Sequence, residues 1–97
     1  MDDAVHYTYV LLSKRDRRFY TGCTDDVQKR VLEHNAGRVR STAHRVPLEL
    51  IYYEACPNRD DAMRRERFLK TGKGKRFLKN RLAAFLESIS SNKLERH

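Results

Sequence analysis

A chain of 97 residues, 39% hydrophobic and 35% charged, has room for one domain with a small core, and its composition is not that of a disordered segment. The net charge of +8 is concentrated: nine basic residues and a single acid, Glu66, lie between Ala62 and Arg81, whereas residues 1–61 carry ten of each sign. Such a patch favours a polyanionic partner, although a solvated helical face would give the same pattern. No apolar run approaches the ~20 residues of a membrane span. The acidic start, Met1-Asp2-Asp3, lacks the form of a signal peptide, and two cysteines make no disulfide framework. A cytoplasmic protein with no membrane partner is expected.

Alternation places Tyr7, Tyr9 and Leu11 on one face of a strand over 7–12, with Thr8, Val10 and Leu12 on the other. The charged stretch 14–17 separates it from a second strand over 19–23, giving an antiparallel hairpin. Gly22 near the end of that strand points to close approach by another backbone or a ligand. A helix over 26–36 follows, with Asp25 and Gln28 as a capping box and Gly37 as its stop. Arg38, Arg40, His44 and Arg45 fall in a loop closed by Pro47. A third strand covers 48–56, and Pro57-Asn58 ends it. A second helix is expected over 59–70, a hinge at Thr71-Gly72-Lys73-Gly74, and a last helix over 75–88 with Leu78, Leu82, Phe85, Leu86 and Ile89 on its core stripe. The fold class is α+β: a three-stranded antiparallel sheet flanked by helices in the order β-β-α-β-α-α. Residues 1–90 form the domain and 91–97 a frayed polar tail.

Some residues do not behave like packing. Glu66 falls in the middle of the second helix's apolar arc, between Ala62, Met63 and Leu69. A carboxylate there is costly unless it is paired or binds a cation. A structural salt bridge and a carboxylate aimed into a cleft both answer that cost. Arg30 and His34, spaced i, i+4, lie together along the edge of the first helix. Tyr9 and Tyr20 sit on adjacent strands, where tyrosines are usually packing residues. Zinc-ligand spacing, a phosphate-binding glycine loop and a serine nucleophile elbow are all missing.

These pieces together resemble a known family. Tyr7-Thr8-Tyr9 and, eleven residues on, Tyr20-Thr21-Gly22 resemble the paired motif that names the GIY-YIG nucleases. Arg30 and His34 fall on the helix where the family places an arginine and often a second polar residue, and Glu66 falls where it carries a metal-binding glutamate. The resemblance covers residues 6–81 and is greatest to small standalone bacterial members. Neither triplet is literal, since Tyr7, Thr8 and Thr21 replace the expected residues, and Cys23 stands where some members have lysine. Asn80 corresponds to an asparagine near the metal in some members, although its helical position points away from the core stripe.

The resemblance implies a metal-dependent endonuclease acting on DNA, in repair or recombination, with one Mg²⁺ or Mn²⁺ held by Glu66. It makes Arg30 the phosphate clamp and Tyr20 the general base, with positive charge from Arg30 and the metal favouring its phenolate. Tyr9 and His34 then orient water or phosphate, and Gly22 lets the substrate approach the backbone. Arg38, Arg40, Arg45, Arg64, Arg67, Lys70, Lys73, Lys75, Arg76 and Lys79 are the expected phosphate contacts, giving salt-dependent binding of low sequence specificity. Specificity would then come from DNA structure, a homodimer or a targeting partner protein. A non-catalytic nucleic-acid-binding module and a protein-interaction domain with a basic face are the rival readings.

Overall fold

The computed structural model describes residues 4–95. The acidic start Met1–Asp3 and the last two residues of the expected tail lie outside that range. The chain divides into two compact units, one ending at Arg67 and one beginning at Phe68.

The first unit is built on a three-stranded antiparallel sheet in the order β2-β1-β3, with β1 (His6–Ser13) central, β2 (Phe19–Thr24) on one side and β3 (Leu48–Cys56) on the other. β3 has the bounds expected from sequence, and each of the other two strands gains a residue or two at its ends. β1 takes the middle because both of its faces can be buried: everything from Thr8 to Ser13 is buried. One face contributes Tyr9 and Leu11 to a cluster with Leu48, against which Tyr20, Val31, Val46 and Leu50 pack. The other carries Thr8, Val10 and Leu12 and is tied to α2 (Arg59–Leu69) through Thr8. β1 and β3 lose register between Val10 and Leu11, so Val10 faces Tyr52 and Leu11 faces Leu50, which marks a bulge at Ile51.

The β1–β2 turn is held from inside. Ser13 Oγ accepts from the backbone N–H groups of Arg15 (3.2 Å) and Asp16 (3.1 Å) and donates to the Arg45 carbonyl at 2.6 Å. Arg17 takes a left-handed conformation (φ 64°) at the tip. α1 (Val27–Asn35) begins one residue later than its sequence suggested. Its cap is Asp26, whose carboxylate accepts from Lys29 N–H at 3.1 Å, so the Asp25–Gln28 capping box does not form. Asp26 wins because it has the extended backbone (φ −147°, ψ 96°) that an N-cap requires. At the other end of α1, Asn35 grips the start of β3 with both amide atoms: it accepts from Leu48 N–H at 2.7 Å and donates to Leu48 C=O at 2.9 Å. This two-pronged contact fixes the helix, and with it Arg30 and His34, against the sheet. A 3₁₀ turn (Ala43–Arg45) leads into β3.

In the second unit the expected hinge is helical. Thr71 is the N-cap of α3 (Gly72–Arg81), its hydroxyl accepting from Gly74 N–H at 3.1 Å and donating to the Phe68 carbonyl at 2.6 Å. Gly74 is buried in that first turn, where a Cβ would overlap the Phe68 carbonyl and come within 2.5 Å of Leu69 Cα. The glycine therefore serves close packing of backbone on backbone, not flexibility. The single last helix expected over 75–88 is two helices, α3 and α4 (Ala83–Glu95), parted at Leu82 (φ −109°, ψ 21°). No glycine or proline marks that break. α4 extends to Glu95, into the segment expected to fray.

Candidate active site

Four elements of the first unit, β1, β2, α1 and α2, converge on one cleft of about 500 Å³, lined among others by Tyr9, Tyr20, Gly22, Cys23, Arg30, Arg59, Met63 and Glu66. Antiparallel pairing places Tyr9 opposite Gly22, and the two are matched in shape. A Cβ on residue 22 would lie 2.6 Å from the Tyr9 hydroxyl and 2.8 Å from its Cζ. The ring of Tyr9 therefore lies across the strand in the space a side chain would have filled. Gly22 is required by this cross-strand contact, whatever else approaches it.

Tyr9 and His34 are both essentially inaccessible to solvent. The sequence placed His34 along the edge of its helix; the structure buries it, because α1 is drawn onto the sheet by Val31 and Asn35. The Tyr9 hydroxyl and His34 Nε2 are 2.9 Å apart, and His34 Nδ1 lies 2.7 Å from the Thr42 hydroxyl, itself buried. The ring of Tyr20 packs edge-on to that of His34, with centroids 5.0 Å apart. Arg30, one turn before His34, pairs with Glu33 at 3.1 Å and lies close enough to the Tyr9 hydroxyl to act on its ionisation.

Burial decides the charge states. Desolvation pushes the Tyr9 phenol up to about 12 despite the lowering pull of Arg30, so Tyr9 keeps its proton at neutral pH. Burial, reinforced by Arg30, pushes His34 below the ordinary histidine range, so its imidazole is neutral. Tyr9 and His34 thus form a neutral hydrogen-bonded pair.

The opposite wall comes from α2. The Ala62 carbonyl, the i−4 acceptor for Glu66 N–H in a regular helix, also accepts from Thr8 Oγ1 at 2.8 Å and Cys23 Sγ at 3.2 Å. Both bonds clamp the turn that presents Glu66. The Glu66 carboxylate is half-buried beside Cys23 and close enough to Tyr9 to act on its ionisation. Burial and that carboxylate push the Cys23 thiol up to about 11, which makes it a hydrogen-bond donor and not a thiolate nucleophile.

The GIY-YIG catalytic domain model matches residues 5–82, the span that contains all of these side chains. The chain belongs to this family. Its relatives include UPF0213 proteins of Lacticaseibacillus paracasei (45% identity, 68% of this chain and 74% of the relative), Staphylococcus haemolyticus (42%, 70% and 83%) and Natronomonas pharaonis (44%, 70% and 80%). A UPF0213 protein of Bacillus halodurans with a solution structure is 36% identical, with a TM-score of 0.48 over 76% of this chain and 81% of that one.

Within the GIY-YIG domain, Tyr9, Tyr20, Gly22, Arg30 and Glu66 of the sequence reading all line the cleft, and His34 stands directly behind Tyr9. The basic residues divide. Arg45 is committed to the fold: its guanidinium donates to Asp16 at 2.6 and 3.3 Å and to the carbonyls of Arg18 and Phe19. That use explains why Asp16 is pulled down to about 2, and it leaves Arg45 poorly placed as a phosphate contact. Arg64 pairs with Asp61 at the surface. Arg38, Arg40 and Arg67 are exposed in the first unit, and Lys70, Lys73, Lys75, Arg76, Lys79 and Asn80 are exposed in the second. Lys29 and Arg59 line the cleft and were missed, because both lie outside the 62–81 stretch on which charge counting settled. Thr8, Cys23 and Thr42 were missed for another reason: an isolated polar residue on an apolar strand or in a loop gives no sign of what it will bond.

Proposed function

We propose that this GIY-YIG domain is a divalent-metal-dependent endonuclease that hydrolyses DNA phosphodiester bonds with low intrinsic sequence specificity. The observation that carries the reading is the meeting of Tyr9, Tyr20, Arg30 and Glu66 on the walls of one open cleft. Among the described residues no cluster of three or more His, Cys, Asp and Glu side chains is spaced to hold a metal ion. The half-buried Glu66 carboxylate in an open cleft suits Mg²⁺ or Mn²⁺, hard ions that keep several waters and take substrate phosphate oxygens as ligands. It does not suit zinc, which takes three or four protein ligands. The bound ion would supply Lewis-acid stabilisation of the phosphoryl and leaving oxygens.

The chain's own residues do the rest. Arg30, oriented by Glu33, offers its remaining donors to a phosphate oxygen and stabilises the charge that develops there. Tyr9, held protonated, is unsuited to removing a proton from water and serves to orient it. Tyr20, on the same wall and packed against His34, is the tyrosine left for the general-base step. Lys29 and Arg59 add positive charge at the cleft, and the exposed cations from Arg67 onward extend the supply of phosphate contacts, so affinity should fall steeply with salt.

The test is cleavage of supercoiled plasmid and of labelled single-stranded and branched DNA by the wild type and by Glu66→Ala, at low salt with Mg²⁺, Mn²⁺ or EDTA. Cutting by the wild type in either metal should disappear with EDTA. Glu66→Ala should lose about 10³-fold or more of the cutting, by analogy with the loss of a principal charge-stabilising group, while still shifting DNA in a gel. Binding without cutting by the wild type on every substrate would replace the nuclease by a nucleic-acid-binding module.

A further inference from the structure

Behind the cleft runs a hydrogen-bonded chain longer than the nuclease reading requires. It starts at the Tyr9 hydroxyl, passes through both ring nitrogens of His34 and the Thr42 hydroxyl, and ends at the Val39 carbonyl. A carbonyl can only accept, and a threonine hydroxyl has one proton to give. Every other link can do both, so the Thr42–Val39 bond sets the direction of the rest.

Thr42 donates to Val39 (3.4 Å), so its oxygen accepts from His34 Nδ1–H (2.7 Å) and His34 Nε2 accepts the Tyr9 proton (2.9 Å). Each proton then has a partner. In the reverse direction the Thr42 proton would leave the Val39 carbonyl for His34 Nδ1, and the Tyr9 proton would have no acceptor within the chain. A buried polar group without a partner would cost stability.

We infer that Thr42 is a positioning residue: through His34 it turns the Tyr9 proton away from the cleft, so that the Tyr9 oxygen faces the cleft as an acceptor for the attacking water. Thr42 touches neither substrate nor cleft. It acts by fixing the tautomer of a buried neutral histidine, the ring nitrogen nearer the site being set by the bond that the farther one makes. The part played in water orientation rests on the nuclease reading; the tautomer does not.

The experiment is ¹⁵N NMR of the histidine side chains in the wild type, Thr42→Val and Thr42→Ser, alongside single-turnover cleavage and DNA affinity for each. In the wild type His34 should carry its proton on Nδ1. Thr42→Val keeps the shape but removes the acceptor, and should move the proton to Nε2 and slow cleavage about 10–100-fold at unchanged DNA affinity, in the range usual for a lost orienting partner. Thr42→Ser should restore both the tautomer and the rate. A wild-type His34 protonated on Nε2 would overturn the inference, even if Thr42→Val failed to fold. A Thr42→Val protein that slows without a change of tautomer would also overturn it, because the loss would then be structural. A wild type with the proton on Nδ1 that cuts no DNA would uphold the tautomer and defeat the nuclease reading together with the catalytic part of the inference.

Discussion

The two walls of the cleft are built in opposite ways. On the α1 side Tyr9, His34 and Thr42 are wholly buried, neutral and joined by bonds of 2.7–2.9 Å. On the α2 side Glu66, Met63 and Cys23 are partly open to solvent and Arg59 is exposed, and order is imposed one step back, where Thr8 and Cys23 clamp the Ala62 carbonyl. The first wall is a rigid template whose groups cannot readily change charge. The second presents a carboxylate to solvent, where a cation can reach it. A site for anionic substrates needs both: fixed dipoles that cost no reorganisation during reaction, and an accessible charge that an ion can balance.

Comparing two arginines sharpens this contrast and carries the largest expected effect. Arg30 stands in the cleft and Arg45 behind it, and only the second has its guanidinium enclosed by Asp16 and two backbone carbonyls. Arg30→Ala should lower single-turnover cleavage about 10²–10³-fold with little change in melting temperature. Arg45→Ala should leave the salt slope of DNA binding unchanged and lower the melting temperature, having removed a bidentate pair and two backbone contacts. If Arg45→Ala reduced the salt slope and Arg30→Ala did not, the assignment of the two would have to be exchanged.

Both arginines look alike in sequence, and that sets the limit of what could be read there. The sheet was legible because its strands alternate cleanly and are punctuated by charged turns and Pro57. The cleft was legible at Tyr9, Tyr20, Gly22, Arg30 and Glu66 because a resemblance supplied their common purpose; periodicity alone left the tyrosines as packing residues. What stayed hidden depends on contacts between distant segments. The Thr42–His34 bond spans eight residues and the Thr8–Ala62 bond fifty-four, and no local pattern distinguishes these threonines from Thr24. The helix break at Leu82 was hidden likewise, since no residue there disfavours a helix.

Gly22 tests the packing of the rigid wall directly. Gly22→Ala places a methyl group where the Tyr9 hydroxyl and Cζ now lie, at 2.6 and 2.8 Å, so the ring must move. The expected cost is about 1–3 kcal/mol, as for overpacking elsewhere, read as a shift in the urea midpoint, and cleavage should fall as well because Tyr9 leaves Arg30. Gly72→Ala is the control, since a Cβ there meets nothing within 4 Å. Equal effects at the two positions would mean that backbone entropy, not the Tyr9 ring, governs residue 22.

The pH dependence probes the α1 wall through two groups of opposite sign. His34 has a lowered pKa in the fold, so the unfolded chain binds more protons as pH drops below ~6.5, and stability should decline from there towards acid. Asp16, lowered by Arg45 to about 2, adds its own loss only as pH falls from the ordinary carboxylate range, so the two acid contributions are separable. Tyr9 behaves oppositely. Raised from 10.0 to about 12, it leaves the folded chain with the extra proton between those values, and stability present below pH 10 should fall by about 2–3 kcal/mol as pH rises through that window. Tyr52, also raised by burial and by Glu54, contributes to the same alkaline limb. Tyr9→Phe should therefore shrink the alkaline loss in urea denaturation without abolishing it, and should leave the acid limb due to His34 in place. If Tyr9→Phe left the alkaline limb unchanged, Tyr9 would have to be solvated in the folded state, and the template wall would be as open to water as the wall that carries Glu66.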